Sequence, residues 1–471
     1  MKRLLLLLLV AVAISAVTLR AELKYFDAVV TEPGQLATVL GDNATVIDSL
    51  VVKGPINDSD FKTIRESIFK GKLRIVNLEK AVPENNAIPE FAFYDKEMQT
   101  EGMETRGLQL NKIILPVNLE SIKDGAFFYT QMEEINIPAT VTSIGAGAFS
   151  KSNLKSVKIP DGITTIEKDC FKNCFCLESV KLPSGLKEIK SGGFYQTVLK
   201  SISLPAGLEA IGDEAFRGEP YLESIELPGS VKSIGENTFI ASSGLKSITI
   251  GEGIESIPNA FATACFNLER VSIPKSVKEI GQNAFGQCSK LTEIEIPEGV
   301  ESIDHGAFFD CRFTSIILPS TVLYLGKNSF DISTLKTIYC KAATAPLCGG
   351  NDEINMGGTP FGAISVETPI YIPVGSKANY QATAGWSRFT NFIETNDFSG
   401  VASADMPASR AYWKDGSLVV ECAGADVEKC EIYTLDGRLA VSVSIGMGAT
   451  EVALPRGSYI VRMGNEVLKI K

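Results

Sequence analysis

Between Leu110 and Phe330 the chain repeats one pattern ten times: an apolar strand ending in Pro, a second apolar pair, and an Ala-Phe. Three copies show it: Met132…Ile135-Asn-Ile137-Pro138…Val141-Thr-Ser-Ile144-Gly…Ala148-Phe149; Leu222…Ile225-Glu-Leu227-Pro228…Val231-Lys-Ser-Ile234-Gly…Phe239; Leu291…Ile294…Ile296-Pro297…Val300…Ile303…Ala307-Phe308. The anchors Phe127, Phe149, Phe171, Phe194, Phe216, Phe239, Phe261, Phe285, Phe308 and Phe330 step by 22 to 24 residues. Each first apolar residue lies 17 residues before its Phe, except 16 from Leu245 to Phe261. The gap from each Phe to the next strand varies from 5 to 7, as Phe127 to Met132 against Phe261 to Leu268. A period this regular predicts a solenoid whose length changes fall on one edge, just after the Phe.

The spacing also dictates local structure. Leu154, Val157 and Ile159 alternate with Lys158, as a short strand with one buried face does. Pro160 closes it, because proline cannot donate to a ladder. Ile163-x-x-Ile166 reads as a second extended piece, and the stretch into Cys170-Phe171 as one helical or 3₁₀ turn. Each copy buries about six apolar side chains, at about 1.5–3 kcal/mol each, only when neighbours cover both flat faces. No single copy is expected to fold alone.

The string L-x-x-I-x-I/L-P-x-x-V-x-x-I-G-x-x-A-F-x-x-C resembles the BspA-like leucine-rich repeat, found on surface proteins of anaerobic gut and oral bacteria and some microbial eukaryotes. The resemblance implies an α/β repeat fold: a right-handed leucine-rich-repeat solenoid with a parallel β-sheet and short helical turns. A small C-terminal all-β sandwich is expected beyond it. Departures are single-site: Gly251 stands for the Pro, Cys170, Gly193, Thr238 and Ser329 for the Ala, and Leu325 for the second Ile.

The N-terminus, Met1-Lys-Arg followed by apolar Leu4–Leu9 and Val10–Ala16, reads as a secretory signal over residues 1–21, too short to span a membrane. No later run is long and apolar enough to span, so the mature protein is expected to be exported, at the outer-membrane surface or extracellular. A net charge of -11 argues against nucleic acid as a partner.

Cys174, Cys288 and Cys311 lie three residues after an anchor Phe and Cys265 lies four after one, which predicts a buried column of thiols acting as small apolar groups. Cys340 with Cys348, and Cys422 with Cys430, are spaced to close short loops, and thiol and disulfide readings both stand. One cysteine per coil supplies no zinc pair of pairs, and Cys174-x-Cys176 stands alone, so no metal or cofactor is expected.

Residues 22–93 read as an N-terminal cap: a strand around Ile47–Val52, an amphipathic helix from Ser59 to Phe69 and a strand over Leu73–Leu78. The repeat array is assigned to 94–340, with Phe91-Ala92-Phe93 as a degenerate step before it and an insertion from Asp95 to Arg106. A closing cap follows over 341–395, in which Tyr380 and Gly385-Trp386 precede the last strand, a pattern similar to the closing unit of the same family. Residues 396–411 read as a linker. Over 412–471, Gly416–Glu421, Cys430–Tyr433, Glu451–Pro455 and Gly457–Arg462 alternate like strands of a small sandwich, with a hairpin turn at Asp436-Gly437. Leu435-Asp-Gly-Arg438, Pro455-x-Gly457-x-Tyr459-x-Val461 and Lys469-Ile-Lys471 resemble the sorting domain of type IX secretion, which implies passage across an outer membrane.

Catalysis has little to stand on, and no catalytic residue is assigned. The single histidine, His305, occupies a repeat column held elsewhere by Asp124, Lys168, Asp213, Glu236, Gln282 and Lys327, a column expected to face solvent. Carboxylate pairs such as Glu133-Glu134 and Glu293 with Glu295 recur through the array as ordinary solvated positions. What remains is a surface. The residue between the two inner strand positions points outward in every copy, forming one row: Ile114, Asn136, Lys158, Lys181, Ser203, Glu226, Thr249, Ser272, Glu295, Ile317 and Tyr339. A second row carries Ser156, Ser179, Ser201, Ser224 and Ser247. Extended solenoid faces bind extended partners. The function expected is therefore non-enzymatic binding of an extracellular protein or host-cell surface ligand, and the resemblance implies adhesion to host matrix proteins, host cells or other bacteria. The alternative is a surface glycan-binding component of nutrient uptake, which requires exposed aromatic platforms; the row offers only Tyr339. A third reading is a purely structural surface layer.

Overall fold

The computed structural model describes residues 23–94, 109–349, 359–362 and 364–398, and strand-bearing segments between 410 and 470. The signal-like segment, the 95–106 insertion, most of the linker and the Asp436-Gly437 turn lie outside the described residues. Among the described residues no helix is long and apolar enough to cross a membrane. The chain divides into two compact units, Met1–Pro160 and Asp161–Lys471.

In the first unit, Tyr25–Val29, Ser49–Ile56, Ile75–Pro83 and Lys112–Ile114 form one parallel sheet in that order. The helix Asp58–Lys70 joins its second and third strands. Asn57 caps it: its side chain accepts from Ser59 N at 3.0 Å, while Asp60 accepts from Asn57 N at 2.9 Å. Phe61, Ile64 and Ile68 fall on one helical face and are buried. Phe61 meets Phe93 edge-on at 6.1 Å, and Phe93 stacks on Phe127 at 5.2 Å, so the Phe91-Ala92-Phe93 step joins the interior column as the spacing suggested.

The second unit shows why the repeat needs each of its parts. Strand segments such as Ser224–Leu227, Ser247–Ile250 and Arg270–Ser272 pair in parallel, always placing one repeat position opposite the same position of the next coil. The second apolar pairs build another parallel ladder, Thr165–Ile166, Glu188–Ile189, Ala210–Ile211 and Ser233–Ile234. The Phe-bearing turn completes the coil. Cys170 N and Lys172 N donate within the turn to Glu167 O and Asp169 O, the bonds of a 3₁₀ turn. Asp169, Phe171 and Asn173 instead donate to Ser191 O, Gly193 O and Tyr195 O of the next coil. Asp169 and Asn173 take φ of 54° and 58°, so the turn cannot propagate into a helix and becomes a third inter-coil ladder. Where the second apolar pair ends in Gly, coils approach closely: a Cβ on Gly235 would lie 2.2 Å from Asp213 N.

The Phe column fills the interior, with Phe171, Phe194, Phe216 and Phe239 stacked at 5.4–5.6 Å and interplanar angles of 2–13°. Phe261 departs, meeting Phe239 at 89° and Phe285 at 81°. It is the anchor that follows its strand by 16 residues rather than 17. The missing residue is absorbed by turning the ring.

Beside the Phe column runs the predicted thiol column. Cys265, Cys288 and Cys311 are free and buried, and burial pushes the Cys265 thiol up to about 12. They are more than apolar filler. Their Sγ atoms donate to Phe239 O, Ala262 O and Phe285 O at 3.1, 3.3 and 3.3 Å, the task Ser242 Oγ performs on Phe216 O at 2.8 Å. At the far end of the repeats Cys340 and Cys348 stand as free thiols. Trp386 is buried there, edge-on to Phe361 at 5.0 Å and Tyr380 at 5.1 Å, and its Nε1 donates to Pro346 O at 2.9 Å. That is the place of a closing aromatic rather than an exposed binding residue.

The C-terminal strands are antiparallel throughout. Arg410–Lys414, Ser417–Cys422 and Gly448–Val452 form one sheet; Leu439–Val443, Cys430–Thr434, Tyr459–Met463 and Glu466–Ile470 form the other. Leu418, Val420 and Val452 of the first pack with Ile432, Val461 and Met463 of the second in one core, which makes this part a small all-β sandwich.

Candidate binding face

Strand alternation sends every second side chain inward, so the outward row follows from the same pattern that fills the core. None of its residues is buried. In the first unit Ile114, Asn136 and Lys158 are exposed. In the second, Lys181, Ser203, Glu226 and Glu295 are exposed, and Thr249, Ser272, Ile317 and Tyr339 half-buried. Register places Glu226 opposite Thr249 and Thr249 opposite Ser272, and separately Ile317 opposite Tyr339.

Within each unit the row runs further than the repeat alignment indicated. Tyr339 pairs with Tyr371 and Tyr371 with Ile393, so the apolar end consists of Ile317, Tyr339, Tyr371 and Ile393. The two tyrosine rings stack at 4.6 Å and 15°. Each covers a face of the other, which suits an apolar protein patch better than a sugar platform. In the first unit Ile114 is continued in register by Asn77, Val51 and Asp27. The signal was present in the in-out alternation of Leu50-Val-Val52 and Ile75-Val-Asn77-Leu78 and in Ile370-Tyr-Ile-Pro373.

Charge distinguishes Lys158 of the first unit and Lys181 of the second from the strand-start lysines around them. The position after the first apolar residue alternates in sign along the array: Glu133, Lys155, Glu178, Lys200, Glu223, Lys246. These side chains pair between coils, Lys155 with Glu133 at 2.7 Å in the first unit, and Lys200 with Glu178 at 2.6 Å and Lys246 with Glu223 at 2.8 Å in the second. Exposed pairs of this kind add only about 0–1 kcal/mol each, so their main effect is to favour one register. Among the described residues Lys158 and Lys181 have no carboxylate partner. They present unneutralised positive charge on an otherwise acidic chain.

His305 is half-buried, and its backbone N donates to Asp304 Oδ1 at 2.7 Å. Its column is partly engaged in coil-to-coil bonding: Asp213 Oδ1 accepts from Glu236 N at 2.9 Å, and in the first unit Asp124 Oδ1 from Ala146 N at 2.8 Å. Glu133 is occupied by Lys155. Among the described residues no cluster of three or more His, Cys, Asp or Glu is arranged to hold a metal ion.

One buried charge-bearing group escaped the sequence reading. Glu219 occupies the column held elsewhere by Thr197, Ser242 and Cys288, and is fully buried. Its Oε1 accepts from Thr197 N at 3.0 Å and Thr197 Oγ1 at 2.8 Å, and its Oε2 from Leu199 N at 3.2 Å. Burial pushes its carboxyl up to about 8 against the lowering effect of these hydrogen bonds. A glutamate in a polar loop segment reads as solvated, so only its place three residues after Phe216 could have flagged it.

Comparison with known proteins follows the same lines. The family model described as BspA type leucine rich repeat region matches in six copies, over residues 55–144, 106–223 and 209–336. A leucine-rich repeat protein from Bacteroides ovatus is 23% identical, with 57% of this chain and 79% of that one covered and a TM-score of 0.41. A leucine-rich repeat protein of T. pallidum is 25% identical over 37% of this chain and 78% of that one, TM-score 0.30. A leucine rich cell surface protein from Faecalibacterium prausnitzii is 20% identical over 67% and 83%, TM-score 0.35. No curated protein matches the sequence.

Proposed function

Because this chain belongs to the family of BspA-type leucine-rich repeat proteins, we propose that it is an exported, non-enzymatic surface protein that binds an extracellular protein through its outward strand face. The observation that carries this reading is that in each unit one lysine of the row, Lys158 in the first and Lys181 in the second, has no carboxylate partner among the described residues, whereas the strand-start lysines Lys155, Lys200 and Lys246 are neutralised by coil-to-coil ion pairs. Unpaired charge on a strand face steers a partner of opposite sign and fixes its register. The apolar patch of Ile317, Tyr339, Tyr371 and Ile393 supplies area that the lysines do not. Matrix proteins, host-cell surfaces and other bacteria are the partners this reading favours. The full chain is expected to bind at least one immobilised matrix protein saturably in a screen that includes a glycan panel. Absence of saturable binding to any protein would overturn the adhesion reading.

The sandwich over 412–471 is assigned in this proposal to export by type IX secretion. Its support is the sequence resemblance together with the antiparallel core around Leu418, Ile432 and Val461. Deleting residues 412–471 is expected to abolish surface display, read by fractionating cells that carry the deletion. Undiminished display would remove the sorting role.

A further inference from the structure

We propose that the loop edge just after the Phe column is a second binding surface, and that its ligand is an uncharged, extended β-linked polysaccharide. The edge is where the repeat tolerates length changes, and three aromatic side chains stand on it in the second unit. Phe175 is 64% exposed, Tyr221 59% and Phe266 51%. Large aromatics left this open lose the burial that normally holds them, so a recurring set of them marks a contact surface.

Their placement is periodic. Each follows its anchor by four or five residues, after Phe171, Phe216 and Phe261, and so recurs in every second coil. The anchor rings lie 5.2–5.6 Å from one coil to the next between Phe171 and Phe261, and hydrogen-bonded strands are spaced by about 4.8 Å, so two coils advance about 10 Å. The intervening coils carry the smaller Val198 and Ser243 at the corresponding loop. Aromatic and small residues therefore alternate along the edge.

That spacing fits a polymer of alternating face. In an extended β-linked glycan successive sugars turn opposite ways, so every second one presents the same apolar C–H face. Such a face packs on the electron-rich face of an aromatic ring. The charge pattern selects the class of glycan. At the strand starts beside Phe175 and Tyr221 the charge is cancelled locally, Glu178 by Lys200 and Glu223 by Lys246, while Glu269 beside Phe266 has no ion-pair partner among the described residues. An edge of mostly cancelled charge with one carboxylate left over repels a polyanion, and a neutral chain suffers no electrostatic cost there.

Affinity electrophoresis of the full chain in native gels containing soluble polysaccharides tests the assignment. Retardation by at least one neutral β-linked glucan or mannan is expected, and none by polygalacturonate or by a proline-rich peptide. Phe175→Ala, Tyr221→Ala and Phe266→Ala should each weaken retardation about tenfold, and the triple variant should lose it. These side chains are exposed, so unchanged thermal melting will show that the fold survives. Val374→Ala, which removes an exposed apolar side chain from another loop, should leave retardation as it was. No retardation by any neutral glycan, retardation undiminished in the triple variant, or binding of the proline-rich peptide alone would overturn the proposal.

Discussion

Phe216→Ala is expected to cost about 3–5 kcal/mol, the largest loss that any single truncation in the array should produce. Phe216 is fully buried and stacks on Phe194 at 5.5 Å and Phe239 at 5.6 Å, with planes within 13° on both sides. Truncation leaves a cavity that two coils line and neither can fill, because their own rings are held by further neighbours. The turn bonds from Phe194 N to Ala215 O and from Phe216 N to Thr238 O depend on the same stacking. Since a solenoid communicates only between neighbours, the damage should spread a coil or two and then fade. Urea denaturation should show an earlier transition, and hydrogen exchange should quicken at Phe194 and Phe216. A shift below about 1 kcal/mol would mean that the column fills space without bearing on stability.

Alkaline weakening at Glu219 is the second large effect. The folded carboxyl holds its proton up to about 8, whereas an ordinary glutamate releases it near 4.5. Between those values the folded chain binds the proton and the unfolded chain does not. The contribution is thus fully present below about 4.5, falls as pH rises, and is exhausted above about 8, a total of about 5 kcal/mol. No lysine or arginine among the described residues pairs with this carboxyl; Thr197 and Leu199 supply only neutral donors. Thermal melts of the full chain from about pH 5 to pH 9 should fall, and Glu219→Gln should flatten the profile, since an amide has no proton to lose. Gln also sets an N–H against a donor around Thr197 and Leu199, so the variant should be less stable at the acid end. A flat or rising profile for the unmodified chain would contradict the assignment.

Much of this molecule was legible in its sequence, because a repeat converts one local pattern into a fold. Val157 alternating with Lys158 gave the strand and its outward face, and Ile163-x-x-Ile166 gave the second ladder. The turn was harder. Asp169 and Asn173 in left-handed conformation let backbone groups alternate between their own turn and the next coil, and no periodicity of side chains reports that. The strand face was legible only where the repeat held its step. Tyr371 follows Tyr339 by 32 residues rather than 22 to 24, so counting missed the partner that register supplies. Phe175, Tyr221 and Phe266 sit where the repeat varies in length, so columns assigned by counting lose their meaning there, whereas Glu219 keeps its column three residues after Phe216 and was missed because a glutamate in a polar loop reads as solvated.

The strand face carries the main functional claim, and charge reversal tests it most directly. Binding of the full chain to the matrix protein captured in the screen should be titrated beside a Lys158→Glu, Lys181→Glu double variant at low and physiological salt. Both side chains are exposed and neither lies in an ion pair among the described residues, so their reversal should leave the fold intact. The account predicts saturable binding that the double variant weakens by about tenfold or more, with the unmodified chain losing affinity as salt rises. Superimposable curves for the two chains would contradict it.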